Sequence, residues 1–346
     1  MKLLRWKYSL FLIVGAWWLP MDHVWAGSLL RTECTASMTP SLVNIGDKIT
    51  LANINNATIT TRLDYTCTNG GFRDGYVSVC LAVGDGDYIP ISTNPRYMRN
   101  KSDTNSSLAF AMTINNKPWG ARNGGSEYNT GPLIMPRRPG LIGTESNIIG
   151  SVLIDISLLA NNALATPGTY INNFNGIHTA LTYKADEDLN SSNCATENQN
   201  SIQFPFTVQA TVIPSCSVTS ASDVNLDPSS ANDKNILGKN SSAINVTCIK
   251  GTPYTIGLMP SNERVDGAGV MSGTGGNTDK IAYQLRSTTG IAGQIWGNTA
   301  TATTLGNGVL GKINGVNQSY PVYVTVPSAD FKPDDYSDTV SIQLNY

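Results

Sequence analysis

The sequence predicts an all-β chain built as two sandwiches in tandem, and three observations predict it. Short runs of alternating apolar and polar residues recur, with Gly, Pro, Asn and Asp between them. No amphipathic pattern lasts the three turns that a stable helix needs. A set of landmarks also occurs twice in the same order, the mark of a duplicated unit.

The first element is a leader. Lys2, Arg5 and Lys7 precede an apolar run from Leu10 to Leu19, and Val24-Trp25-Ala26 offers a small-x-small cleavage site before Gly27. Residues 1–26 therefore read as a secretory signal peptide, with a retained signal anchor as the alternative. No later segment approaches ~18 consecutive apolar residues, so the mature chain is expected to be soluble and exported. Six cysteines in an exported chain (Cys34, Cys67, Cys80, Cys194, Cys216, Cys248) read as three disulfides. The absence of a C-x-x-C pair argues against a redox motif or a zinc knuckle. Charged residues are only 14%, against about 25% in typical domains. A net charge of −2 exerts no pull toward nucleic acid or anionic membrane.

The repeat supplies the order of the remaining elements. Cys34 and Cys67 are 33 apart, and Cys216 and Cys248 are 32 apart. The second cysteine of each pair ends a strand, Leu63–Cys67 or Ile244–Cys248. Gly75–Val79 then matches Thr252–Ile256, and Leu108–Met112 matches Ile281–Leu285. A Trp-Gly pair follows each, Trp119-Gly120 and Trp296-Gly297, which favours a core role for both tryptophans. Finally Pro167–Tyr170 matches Pro333–Tyr336, each introducing a long strand.

The halves end differently. After Tyr170 the first continues through a polar stretch holding Cys194 into a strand at 202–212, with Ile202, Phe204, Phe206 and Val208 on its apolar face. Pro205 suits an edge position there, where a missing N–H costs no ladder bond. After Tyr336 the second half has one more alternating strand, with Val340, Ile342, Leu344 and Tyr346 on one face. No counterpart of 202–212 follows it. The second sandwich is thus expected to lack its final strand and to accept one from another chain.

These residues resemble the spore coat protein U family, which includes subunits of archaic chaperone–usher pili. The likeness rests on the cysteine pairs about 32 apart, Gly251–Ile256, Ile281–Leu285 with Trp296-Gly297, and Tyr336–Ile342. It is specific over 208–346 and looser over 28–201. It implies immunoglobulin-like sandwiches, and three chain segments: a signal peptide (1–26), a self-completed adhesin domain (27–207) and an incomplete pilin domain (208–346). The resemblance further implies a periplasmic chaperone, an outer-membrane usher and an adjacent subunit that donates its N-terminal strand. Disulfides are expected between Cys34 and Cys67, Cys216 and Cys248 and, by elimination, Cys80 and Cys194. Between Gly27 and Cys34 there is too little chain for the ~10 alternating residues of a donor strand. The chain is therefore expected to cap the distal end of a filament, displayed at the cell surface.

Chemistry finds little to stand on. The one histidine beyond the leader, His178, reads as a strand residue. Neither Gly-x-Ser-x-Gly nor His-Glu-x-x-His occurs. Gly306–Lys312 nearly matches a phosphate loop, but Ile313 replaces the magnesium-binding hydroxyl. Asp85-Gly86-Asp87 reads as a hairpin turn rather than a calcium site. No enzyme activity, cofactor or metal is expected.

The binding surface is sought where the first half is longer than the second. One excess holds Leu133, Ile134, Met135, Arg137, Arg138, Leu141 and Ile142 among prolines and glycines that oppose a regular strand. Apolar residues in a loop mark an interaction site or a loop folded back to seal the sandwich. In the resembling proteins apolar tip loops hold abiotic surfaces and promote biofilm, and the arginines would add contact to anionic surfaces. A second excess, Leu158–Thr166, is expected at the opposite end. Two alternatives stand: a sugar-binding lectin using Tyr88, Tyr97, Tyr128 and Phe174, or a secreted coat-type structural protein.

Overall fold

The computed structural model describes residues 30–88, 94–122, 125–140, 145–191, 193–196, 201–219, 221–228, 230 and 232–346. The leader lies outside them. Among the described residues there is no α-helix, only short 3-10 turns, and no helix is long and apolar enough to cross a membrane.

The first unit opens with β1 (Thr32–Thr39), β2 (Leu42–Asn44), β3 (Thr58–Asn69) and β4 (Gly75–Val83). It continues with β5 (Arg96–Asn100), β6 (Ser107–Ile114), β7 (Lys117–Pro118), β8 (Tyr128–Asn129) and β9 (Leu133–Met135). It closes with β10 (Ser146–Leu158), β11 (Gly168–Phe174), β12 (Thr179–Asp186) and β13 (Phe206–Val212). One sheet runs β1-β3-β10-β6-β5-β11-β13-β2, with β7 beside β6. The other runs β12-β4-β8, with β9 also on β4. Alternation explains the layers: Leu108, Phe110, Met112 and Ile114 of β6 are buried while the residues between them are half-exposed.

The second unit holds β14 (Cys216–Thr219), β15 (Lys234–Lys239), β16 (Ile244–Cys248), β17 (Thr255–Pro260) and β18 (Ala268–Ser272). Then come β19 (Lys280–Arg286), β20 (Val309–Leu310), β21 (Gln318–Tyr320), β22 (Tyr323–Ser328) and β23 (Val340–Asn345). Its sheets are β14-β16-β21, β15-β22-β19-β18 and β20-β17-β23. The sheets divide between Val212 and Cys216. The expected boundary after residue 207 cuts β13, whose seven residues all pair with β11.

Three disulfides join Cys34 to Cys67, Cys80 to Cys194 and Cys216 to Cys248. The first and third lie directly across β1/β3 and β14/β16. Their 33- and 32-residue loops would each stabilise the fold by about 3–4 kcal/mol in the chain-entropy view.

Two kinds of hydrogen bond recur in both units. Trp119 donates Nε1–H to the Leu81 carbonyl at 2.8 Å, and Trp296 donates to Ile256 at 2.9 Å. Each ring is buried. The Tyr170 hydroxyl donates to the carbonyl of Thr166 (2.6 Å), four residues back, and Tyr336 does the same to Lys332 (2.9 Å).

Ile249, just past the second unit's disulfide, is fully buried in the first unit's core. The Leu51 N–H donates to the Ser215 hydroxyl at 2.8 Å, and Thr166, Pro167 and Leu164 approach Gly251 and Gly315. The second sequence excess, Leu158–Thr166, thus runs into the junction between the sandwiches: Leu158 is buried, and Leu164 and Thr166 face the second unit.

Candidate functional site

The site begins with a strand that is present in one sandwich and missing from the other. In the first, β13 lies between β11, antiparallel, and β2, parallel. Its alternation buries Phe206, Val208, Ala210 and Val212. Phe206 stacks on Phe174 with ring centroids 4.6 Å apart and lies 6.4 Å from Trp119; Phe204 lies 6.2 Å from Trp119.

The strand is shorter than its sequence suggests. Ile202 bridges Leu181 of β12 in the opposite sheet, and the chain crosses between sheets before β13 starts at Phe206. Pro205 sits in that crossing, where its missing N–H breaks no ladder. It is not an edge-strand residue, and β13 itself is flanked on both sides.

In the second sandwich no described strand lies between the walls of this seam. The ladders set the correspondence: Arg99 pairs with Ser107 and Ile171, as Ser272 pairs with Lys280 and Ser337. Residues 333–338 thus stand where β11 stands. The segment 221–228 follows β14 in the chain as β2 follows β1, and it lines the other side of the cleft. Val224 and Leu226 lie over Gly238, whose missing side chain leaves them room.

Between these walls run two adjoining clefts of about 580 and 490 Å³, sharing Val224, Leu226, Met271 and Tyr336. The floor of the smaller cleft includes Ile244, Leu258, Leu285, Val322 and Val324, side chains of the second core. β23 pairs with β17 alone. Val340, Ile342 and Leu344 pack half-buried against that core, whereas Tyr346 lies beyond the strand and is 52% exposed. Sequence reasoning found β23 but missed 221–228, whose only signal was the alternation of Val224 and Leu226.

The apolar excess of the first sandwich divides on inspection. Leu133–Met135 form β9, paired with β4 through Gly75, Tyr76 and Val77, although prolines flank it. Three residues between Pro132 and Pro136 are enough to reach the β4 edge. Met135 is fully buried and belongs to the core, which corrects its expected place in an exposed loop. Leu133 is half-buried, while Ile134 is 73% exposed. Leu141 and Ile142 lie outside the described residues.

The Arg137 N–H donates to Asp74 at 2.8 Å. The Arg138 guanidinium lies 3.9 Å from the centre of the exposed Phe72 ring, a cation–π geometry. Phe72 was not foreseen, since a single aromatic in a Gly-rich turn carries no pattern. This group sits beyond the Ser146 end of β10, and the other end leads to the junction. Thirteen residues at about 3.3 Å each separate the two by roughly 40 Å.

The proposed aromatic platform also divides. Phe174 is buried and Tyr128 packs on the core. Tyr88 and Tyr97 stack at 5.4 Å near the surface, with Arg99 5.2 Å from the Tyr88 ring. His178 ends a 3-10 turn rather than sitting in a strand, and its Nδ1 lies 3.1 Å from Asp85. Nearby Arg96 is almost fully buried and donates to the carbonyls of Gly84, Val83 and Trp119. Burial lowers its pKa to about 10, partly offset by Asp85.

Among curated proteins no relative matches the chain. Solved structures give weak superpositions. A chain of the CsuC–CsuE chaperone–tip adhesion subunit pre-assembly complex from archaic chaperone–usher Csu pili of Acinetobacter baumannii is 14% identical, with a TM-score of 0.47. The match covers 91% of this chain and 100% of that one. The CupB6 tip adhesin of Pseudomonas aeruginosa is 8% identical (TM-score 0.32; 90% and 93% covered). CfaE, the adhesive subunit of CFA/I fimbria of enterotoxigenic Escherichia coli, is 10% identical (TM-score 0.29; 88% and 92% covered). At these levels the likenesses decide nothing about function. The family described as Spore Coat Protein U domain matches residues 202–343, from the bridge at Ile202 through β13 to β23. The part of this chain that is similar to a Spore Coat Protein U domain is thus the second sandwich together with the strand that precedes it.

Proposed function

We propose that the chain is the tip adhesin of a chaperone–usher pilus. One observation carries this reading: a seam filled by β13 in the first sandwich lies open, between equivalent walls, in the second. The matched domain begins at residue 202, so its leading strand completes the sandwich before it. The same donation, made by a neighbouring subunit, would close the cleft between 221–228 and 333–338. An open apolar seam invites aggregation, so a periplasmic chaperone would fill it first and the usher would direct the exchange. Seating four inward apolar side chains at ~1.5–3 kcal/mol each favours closure strongly.

The first sandwich would then meet the surface at the end remote from the cleft domain. Ile134, Leu133, Leu141 and Ile142 would supply apolar contact, and Phe72, Arg137 and Arg138 the rest. Attachment to bare, apolar material and biofilm formation follow from that composition. Cells carrying Ile134→Ser, Leu141→Ser and Ile142→Ser together should assemble pili yet lose attachment to polystyrene. Undiminished attachment by such cells would refute the loop's role. The half-exposed Tyr88–Tyr97 stack beside Arg99 favours a second reading, sugar recognition. Glycan-array binding competed by free sugar, and lost in Tyr97→Ala, would select it.

A further inference from the structure

The two sandwiches differ at two inward positions beside the seam. Phe110 of β6 corresponds to Tyr283 of β19, and Asn172 of β11 to Asp338. In the first sandwich Phe110 and Asn172 are fully buried. Asn172 donates to the carbonyls of Asp85 and Tyr97 at 2.8 and 2.9 Å. It stands opposite Val208, on a strand whose inward face is wholly apolar.

In the second sandwich the Tyr283 hydroxyl donates to Asp338 Oδ2 at 2.6 Å. Tyr283 lies across Gly269, where any Cβ would strike its ring. Burial, and then the hydrogen bond to Asp338, push the tyrosine pKa up, so the proton stays on the phenol. Asp338 also accepts the Thr339 N–H at 2.8 Å and borders the cleft of about 490 Å³, where it is half-exposed. A carboxylate has about four acceptor sites, so two stay with water while the cleft is open. A strand laid over it removes that water, and an apolar side chain offers nothing in return.

Resting on the strand-accepting reading above, we propose that Asp338 and Tyr283 select which strand fills the cleft. The strand brings a hydroxyl, amide or ammonium donor to the level that Val208 occupies in the first sandwich. The pair thereby rejects the completing strand of a second copy of this chain, which is apolar at that level.

Two peptides test this against the full chain by calorimetry: residues 202–212 as they stand, and the same peptide with Val208→Thr. The threonine peptide should bind roughly tenfold more tightly, the worth of one hydrogen bond to a charged group. In the Asp338→Leu, Tyr283→Phe double variant the order should reverse. Equal binding of both peptides to the unaltered chain overturns the selection but leaves strand acceptance standing. Binding of neither overturns both. The decisive measurement uses the unaltered chain, so a variant that misfolds does not void it.

Discussion

The first sandwich and the second share their tryptophans, tyrosine corners and cross-strand disulfides, yet differ at one seam. In the first, Phe206 and Val208 are almost fully buried between two strands. In the second, Val340 and Ile342 remain half-exposed beside an open cleft. The contrast separates two things that a single domain confounds. Core residues shared by both sandwiches make the fold, and the seam residues decide whether it is finished.

The largest test removes the filling. Phe206→Ala should cost the first sandwich about 3–5 kcal/mol, because a large buried aromatic is lost. Ile342→Ala on the open edge should cost about 1 kcal/mol until a strand covers it. Urea unfolding of the two variants checks the ratio, and equal losses would mean that the second seam is already closed.

Next in size is a matched pair. Trp119→Phe and Trp296→Phe each orphan one buried carbonyl, Leu81 or Ile256, at about 1–3 kcal/mol. Similar midpoint shifts would sharpen the comparison, and a difference beyond error would break it. Tyr170→Phe should then cost about 1–2 kcal/mol, since Tyr170 is buried and also meets Ser106 at 2.7 Å. Tyr336→Phe, half-exposed, should cost about 0.5 kcal/mol.

The smallest effect is acid response. Hydrogen bonds from Thr274 and Asn277 lower the Asp334 pKa from 3.8 to about 2, and the Arg264 hydrogen bond does the same for Asp266. Their contribution to the second sandwich is present above the unfolded value and lost as pH falls through about 2. Burial raises Glu127 in the first sandwich, partly offset by Arg122. Its contribution has the opposite sign, present at low pH and lost as pH rises through the raised value. Melting of each sandwich, followed between pH 5 and pH 2, should show the second softening while the first does not.

Much of this was legible in residue order. The duplication, the strand at 340–345 and the core tryptophans follow from alternation and spacing, which are local signals. What escaped depended on distant partners. Residues 221–228 carry alternation at Val224 and Leu226 but have no neighbour strand to make them a ladder. Pro205 reads as an edge residue only because the crossing from Leu181 to Phe174 cannot be seen in one dimension. Met135 looked like its exposed neighbour Ile134, and only pairing with Gly75 turns one inward and the other outward. Arg96 gave no hint of burial, since its acceptors are backbone carbonyls 12 to 23 residues away.

Ile249 has a mechanical consequence. Its side chain belongs to one sandwich by sequence and to the other by packing. Cys216–Cys248 anchors it one residue away, and Ser215 ties the same corner to Leu51. Tension between the two sandwiches would therefore meet a shared plug, together with the Ser215–Leu51 bond and the contacts of Leu164 and Thr166, rather than a slack tether.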